Sequence, residues 1–126
     1  IEAGARLKLA ACGLSGYFET GGFGEDAPDR AGLGRIAVER VAAVFGQEVR
    51  PADVVLVGDS EEDIVAARTN GYRVISVGTG WTDHERLRAH EPDLFVADLS
   101  DFGGIMQFIF GTTGTLGNLG TKGVAE

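Results

Sequence analysis

Three short apolar-rich runs punctuate the chain: Val54–Val57, Tyr72–Val77 and Leu94–Ala97. Between and before them lie stretches dominated by helix-forming residues. Val54–Val57 shows no apolar–polar alternation, the pattern of a strand covered on both faces in a parallel sheet. Helices are predicted over Ile1–Cys12, Ala31–Phe45, Ser60–Asn70 and Asp83–His90, with stops at Gly13, Gly46 and Asn70-Gly71. In Ala31–Phe45 the apolar face comprises Ile36, Val38, Val41, Ala42 and Phe45. Arg35, Glu39 and Arg40 point to water, and Arg35 and Glu39 stand four apart as a possible pair. Strand, helix, strand, helix, strand at this spacing implies an α/β class with right-handed parallel connections.

The remaining segments are less regular. Tyr17–Phe23 reads as a short strand feeding the polar loop Gly24–Asp29, and Gln47–Asp53 as a loop. Ile105–Phe110 is a short packing helix or strand. Gly111–Val124, rich in Gly, Thr and Asn, reads as poorly ordered tail. The expected division is therefore a domain over 1–102 and a tail over 103–126. The chain starts within a helical pattern and without Met, which suggests a processed or partial chain.

Composition narrows the functional classes. The 126 residues carry a formal net charge of −8 at pH 7, with a pI near 4.7. Such a charge repels a phosphate backbone and an anionic membrane surface, so neither nucleic acid nor membrane is an expected partner. A phosphate ligand would need a local cation to overcome that field. No apolar run reaches about 18 residues, and the N-terminus lacks the order of a signal peptide. Cys12 cannot form an internal disulfide alone, reads as a small buried residue, and fits a cytoplasmic setting.

The chemistry concentrates in Gly58-Asp59-Ser60-x-x-Asp63. Ligands of open parallel sheets bind outside the carboxyl ends of the strands, where Asp59 falls. Gly58 allows a sharp turn close to a ligand, and Gly58 and Ser60 would border bound phosphate. Asp63 lies four residues on, so both carboxylates could converge on a hard cation such as Mg²⁺. Ser60-x-x-Asp63 also resembles a capping box, and the two roles are compatible.

The segment VVLVGDSEEDIVAARTNGYRVISVGTGW resembles the fourth motif and following strand of haloacid dehalogenase-like (HAD) hydrolases, especially their phosphoglycolate phosphatase-like branch. The specific match is Val54–Gly80; Ile1–Phe102 follows by pattern. The resemblance implies a Rossmann-like three-layer α/β/α fold, Mg²⁺, and phosphomonoester hydrolysis through an aspartyl-phosphate. It implies that Asp59 is a metal ligand and Asp63 a metal-shell or orienting carboxylate. It also implies a cation before the preceding helix that holds the phosphoryl group. Arg30 is the one cation in that loop, although the commoner Lys-Pro form is absent; otherwise Arg30 would pair with Asp26 or Asp29. The family's nucleophile motif, DxDxT/V, occurs nowhere in the chain, so the chain alone is expected to be inactive. The expected partner is a small phosphorylated substrate. An exposed sheet edge would favour self-association. The alternative is a non-catalytic HAD-like module binding metal, phosphate or a protein.

Gly78-Thr79-Gly80 lacks a dinucleotide fingerprint and suits a turn near the site. Trp81 reads as a loop-packing aromatic or a shield for that edge. His84 and His90 read as solvated surface, without metal-ligand spacing.

Overall fold

The computed structural model describes residues 2–111. Helix α1 (Glu2–Ala11) and a 3-10 turn (Ser15–Tyr17) lead into α2 (Arg30–Phe45). A second 3-10 turn (Pro51–Asp53) precedes β1 (Val55–Gly58), α3 (Glu61–Asn70), β2 (Arg73–Val77), α4 (His84–Ala89), β3 (Leu94–Val96) and α5 (Phe102–Phe110). The strands form a parallel sheet in the order β1-β2-β3. Val55 is opposite Arg73 and Gly58 opposite Ser76; Ile75 is opposite Leu94 and Val77 opposite Val96.

Successive strand residues face opposite sides, so one sheet supports two cores. On one face Val74 packs with Ile64 and Ala67 of α3, Tyr72 and Leu87 of α4, with Val38 of α2 against them. On the other, Ile75, Val77 and Val96 meet Ile105, Phe108 and Ile109 of α5. The result is the three-layer α/β/α arrangement. Arg73 secures the α5 layer. Its Nη1 and Nη2 donate to the carbonyls of Phe108 (2.9 Å) and Ile109 (3.2 Å), among the last carbonyls of α5, which lack helical partners.

Burial on both faces belongs to β2, not to the run Val54–Val57. Val57 is 49% exposed because β1 is an edge strand of the described sheet. Tyr17–Phe23 forms no strand; among the described residues no strand pairs with it, and the carbonyl of Gly21 accepts from Arg40 Nη1 instead (2.6 Å). Arg40 is accordingly half-buried rather than free in water. Arg35 reaches Asn70 Oδ1 at 3.1 Å, not a neighbour on its own helix. Cys12 is exposed, because α1 buries none of its residues. Ile105–Phe110 is helical, and α5 begins at Phe102, so the sheet's packing continues past the boundary expected after residue 102. Apart from Gly111, the Gly-rich tail lies outside the described residues.

Candidate functional site

The site begins where β1 ends. Gly58 closes the strand, Asp59 projects beyond it, and Ser60 starts α3 as its N-cap. Ser60 Oγ accepts from the Asp63 amide, and Asp63 Oδ2 accepts from the Ser60 amide (3.1 Å) and Ser60 Oγ (2.7 Å). This is a capping box with Asp in place of Glu, and three acidic residues in the first turn favour the positive end of the helix. The same Oδ2 also accepts from the Asp59 amide at 3.2 Å, so one oxygen fixes the whole turn. Gly58 is required here: a Cβ would collide with the Asp63 carboxyl group.

Arg30 is the first residue of α2. Its Nη1 donates to Asp63 Oδ1 at 2.7 Å, across 33 residues of sequence. The partners considered from sequence are otherwise engaged. Asp29 caps α2 by accepting from the Gly32 amide (2.6 Å), and Asp26 holds Arg40 through two 2.7 Å bonds. That Arg40 clamp keeps the Asp26 carboxyl below its usual range, helped by the Phe23 amide. Buried Asp63, 6% exposed, thus has both oxygens committed to hydrogen-bond donors. Asp59 differs: it is exposed, and its carboxylate has no hydrogen-bond or ion-pair partner among the described residues.

Arg30, Gly58, Asp59, Asp63 and Thr79 border one cleft of about 310 Å³, with Val57, Val77 and Leu99 as its apolar side. Thr79 enters through the turn Gly78–Gly80. That turn runs so close that a Cβ on Gly80 would lie 2.7 Å from Asp59 Cγ. The exposed His84 ring braces the turn, with Nε2 2.8 Å from the Gly78 carbonyl and its edge on Phe95. The larger groove beside it, about 510 Å³, shares Arg30 but not Asp59, and Val65 and Ala66 line it. His90 contributes to that groove, with Nε2 3.3 Å from Glu61 Oε2. Trp81 is fully exposed and does not border the Asp59 cleft.

Among the described residues no three His, Cys, Asp or Glu side chains gather as a metal centre. Mg²⁺, however, is commonly held by one or two carboxylates, waters and substrate phosphate. Asp59 fits the role of such a carboxylate. Asp63 fits less well as a direct ligand, since the ion would displace Arg30 or the donors of the turn. Of the five residues expected from sequence, Arg30, Gly58, Asp59 and Asp63 border one cleft, and Ser60 caps α3 between Asp59 and Asp63. Sequence reasoning missed Arg40 and Asn70, whose partners are distant in sequence, and no local signal marks them.

The chain is similar to known proteins in sequence and in fold. A 5'-nucleotidase from Pseudomonas aeruginosa is 40% identical over 45 residues, covering 36% of this chain and 20% of that protein. A phosphoglycolate phosphatase from Vibrio vulnificus is 39% identical over 51 residues, covering 40% of this chain and 22% of that protein. A solved haloacid dehalogenase-like family hydrolase from Streptococcus pneumoniae superposes with a TM-score of 0.66 at 17% identity, over 82% of this chain and 47% of its own. The matches therefore span about a fifth of the curated relatives and just under half of the solved structure. Residues 30–102, more than half the chain and including every residue of the cleft, match the HAD-hydrolase-like family, to which this chain belongs.

Proposed function

We propose that the chain supplies the cation-holding wall of a Mg²⁺-dependent phosphomonoester hydrolase of the HAD type. One observation carries this: an unpartnered carboxylate, Asp59, and an oriented guanidinium, Arg30, share a cleft at the carboxyl edge of a parallel sheet. Asp59 would hold Mg²⁺, which when bound neutralises charge on phosphoryl oxygens. Arg30 would receive the phosphoryl group, and a fixed guanidinium suits its oxygens. Asp63 orients Arg30 and holds the turn Gly58–Ser60, which would border the phosphate. The names of the relatives, a phosphoglycolate phosphatase and a 5'-nucleotidase, favour a small phosphorylated substrate.

The attacking carboxylate is not in these 126 residues in DxDxT/V form. The pure chain is therefore expected to show no turnover of p-nitrophenyl phosphate with Mg²⁺. The protein expressed from the whole reading frame is expected to hydrolyse it, with Asp59→Asn lowering the rate by orders of magnitude. Asp59→Asn is expected to leave the fold intact, because that carboxylate has no hydrogen-bond or ion-pair partner among the described residues. Full turnover by Asp59→Asn would refute the metal role. A whole protein with no metal-dependent turnover would favour a non-catalytic binding module, to which the missing nucleophile motif also points.

A further inference from the structure

Arg30 works in the cleft only if the first turn of α2 is held against α3, and the buried cluster that α2 joins lies further along the helix. Val38, more than two turns along α2, is the α2 residue that meets the shared core. The first turn buries Gly32 alone, against Ala27 and the Asp29 cap. Two sets of side-chain hydrogen bonds tie this end of α2 to α3 among the described residues: the Arg30–Asp63 pair and those of Asn70.

Asn70 ends α3. Its Nδ2 donates to the Ala31 carbonyl at 2.8 Å, and its Oδ1 accepts from Arg35 Nη1 at 3.1 Å. The side-chain amide faces an acceptor on one side and a donor on the other, so one orientation satisfies both. A helix carbonyl has a second lone pair, so Ala31 accepts without losing its helical bond. Gly34 permits the approach: a Cβ there would lie 3.2 Å from Asn70 Nδ2 and 3.5 Å from Tyr72.

We propose that Asn70 is a positioning residue for Arg30, latching the first turn of α2 to the end of α3 so that the guanidinium stays on Asp63 at the cleft. Its effect on turnover rests on the hydrolase function proposed above; its effect on Arg30 does not. Asn70 touches neither cleft nor substrate. Asn70→Asp discriminates between its two bonds. It places a carboxylate oxygen against the Ala31 carbonyl, breaking that bond, while keeping an acceptor for Arg35. Arg35→Gln leaves the Ala31 bond in place.

The test has two arms. In the chain itself, NMR follows hydrogen exchange at the guanidinium groups of Arg30 and Arg40. Arg40, clamped to Asp26 further along α2, is the internal control. Asn70→Ala and Asn70→Asp are expected to speed exchange at Arg30 about fivefold, the scale of one lost hydrogen bond, and to leave Arg40 unchanged. Arg35→Gln is expected to have the smaller effect. No change at Arg30, or equal acceleration at both arginines, would overturn the proposal. In the protein from the whole reading frame, Asn70→Asp is expected to lower kcat/KM for p-nitrophenyl phosphate, and to add nothing in an Arg30→Met background. Independent, additive losses would overturn it. Should the wild-type protein show no turnover, the hydrolase function fails while the exchange comparison still decides the role of Asn70.

Discussion

The unit β1–α3–β2 and the segment from α1 to Asp29 are held together by different means. In the first, Ile64, Ala67, Val74 and Ile75 are all essentially inaccessible, and the backbone is knitted by a parallel ladder. In the second, α1 buries no residue, and Leu7, Tyr17 and Phe18 are largely exposed. Its side-chain attachments include the Glu2 amide on Glu25, Arg6 over the Phe23 ring, and the Arg40–Asp26 clamp, and Gly22 lies close on α2. Apolar burial is non-directional and large, whereas exposed ion pairs contribute about 0–1 kcal/mol each. The cleft lies where the two regimes meet. Asp59 and Asp63 are borne by the rigid unit, and Arg30 by a helix whose preceding loop belongs to the weakly held segment.

The sharpest way to break this comparison is to remove equal side chains from the core that packs on β1–α3–β2 and from α1. Leu87 is fully buried among Ile64, Tyr72 and Val74, whereas Leu7 is 72% exposed on α1. Leu87→Ala is expected to lower unfolding free energy by about 2–5 kcal/mol, and Leu7→Ala to stay within about 0.5 kcal/mol. Urea denaturation followed by circular dichroism measures both. A comparable loss from Leu7→Ala would show that α1 is part of the core after all.

A second substitution tests how rigidly the cleft is built. Gly58→Ala drives a methyl group into the Asp63 carboxyl, so either the strand end or the cap must shift. The expected destabilisation is about 1–3 kcal/mol, as for an overpacked site. It should come with loss of the Arg30–Asp63 hydrogen bond, visible as faster guanidinium exchange. A neutral Gly58→Ala would mean that the turn is softer than its four bonds to Asp63 imply.

The same division decides what could be read from the amino-acid order. The strand at Val54–Val57 and the Ser60–Asp63 box are local patterns, where periodicity and spacing of a few residues carry the information. Residues Gly58, Asp59, Ser60 and Asp63 were legible for that reason. Arg30 was legible as a lone cation, but its partner was not, because Asp63 lies 33 residues away. The Asn70–Ala31 bond spans 39 residues and Arg40–Asp26 spans 14, and no local rule predicts either. Gly103 and Gly104 made α5 hard to foresee. Asp101 caps that helix by accepting from the Gly104 amide, and its apolar face is secured only against β2 and β3. The exposure of Val57 likewise depends on strand order, which a run of apolar residues does not state.

The smallest expected effect concerns pH. Arg40 holds the Asp26 carboxyl below its usual range, and the Glu2 amide does the same for Glu25. Each group binds its proton more weakly in the folded chain than in the unfolded one. The stability they add is therefore complete above the ordinary carboxylate value of about 3.9–4.3 and is lost as pH falls below it toward their depressed folded values. Asp53, lowered by Arg50, follows the same sign, but that pair is local and outside this segment. Acidification from pH 6 to 3 should thus release the amides of residues 21–26 while those of β1, α3 and β2 stay protected. Hydrogen exchange, corrected for its intrinsic pH dependence, reports both sets in one experiment. Arg40→Gln should give the same release at neutral pH and remove most of the acid response at Phe23 and Asp26. If both sets of amides open together at every pH, the loop before Arg30 and the sheet form one cooperative unit, and the polar staples contribute to global stability rather than to local order.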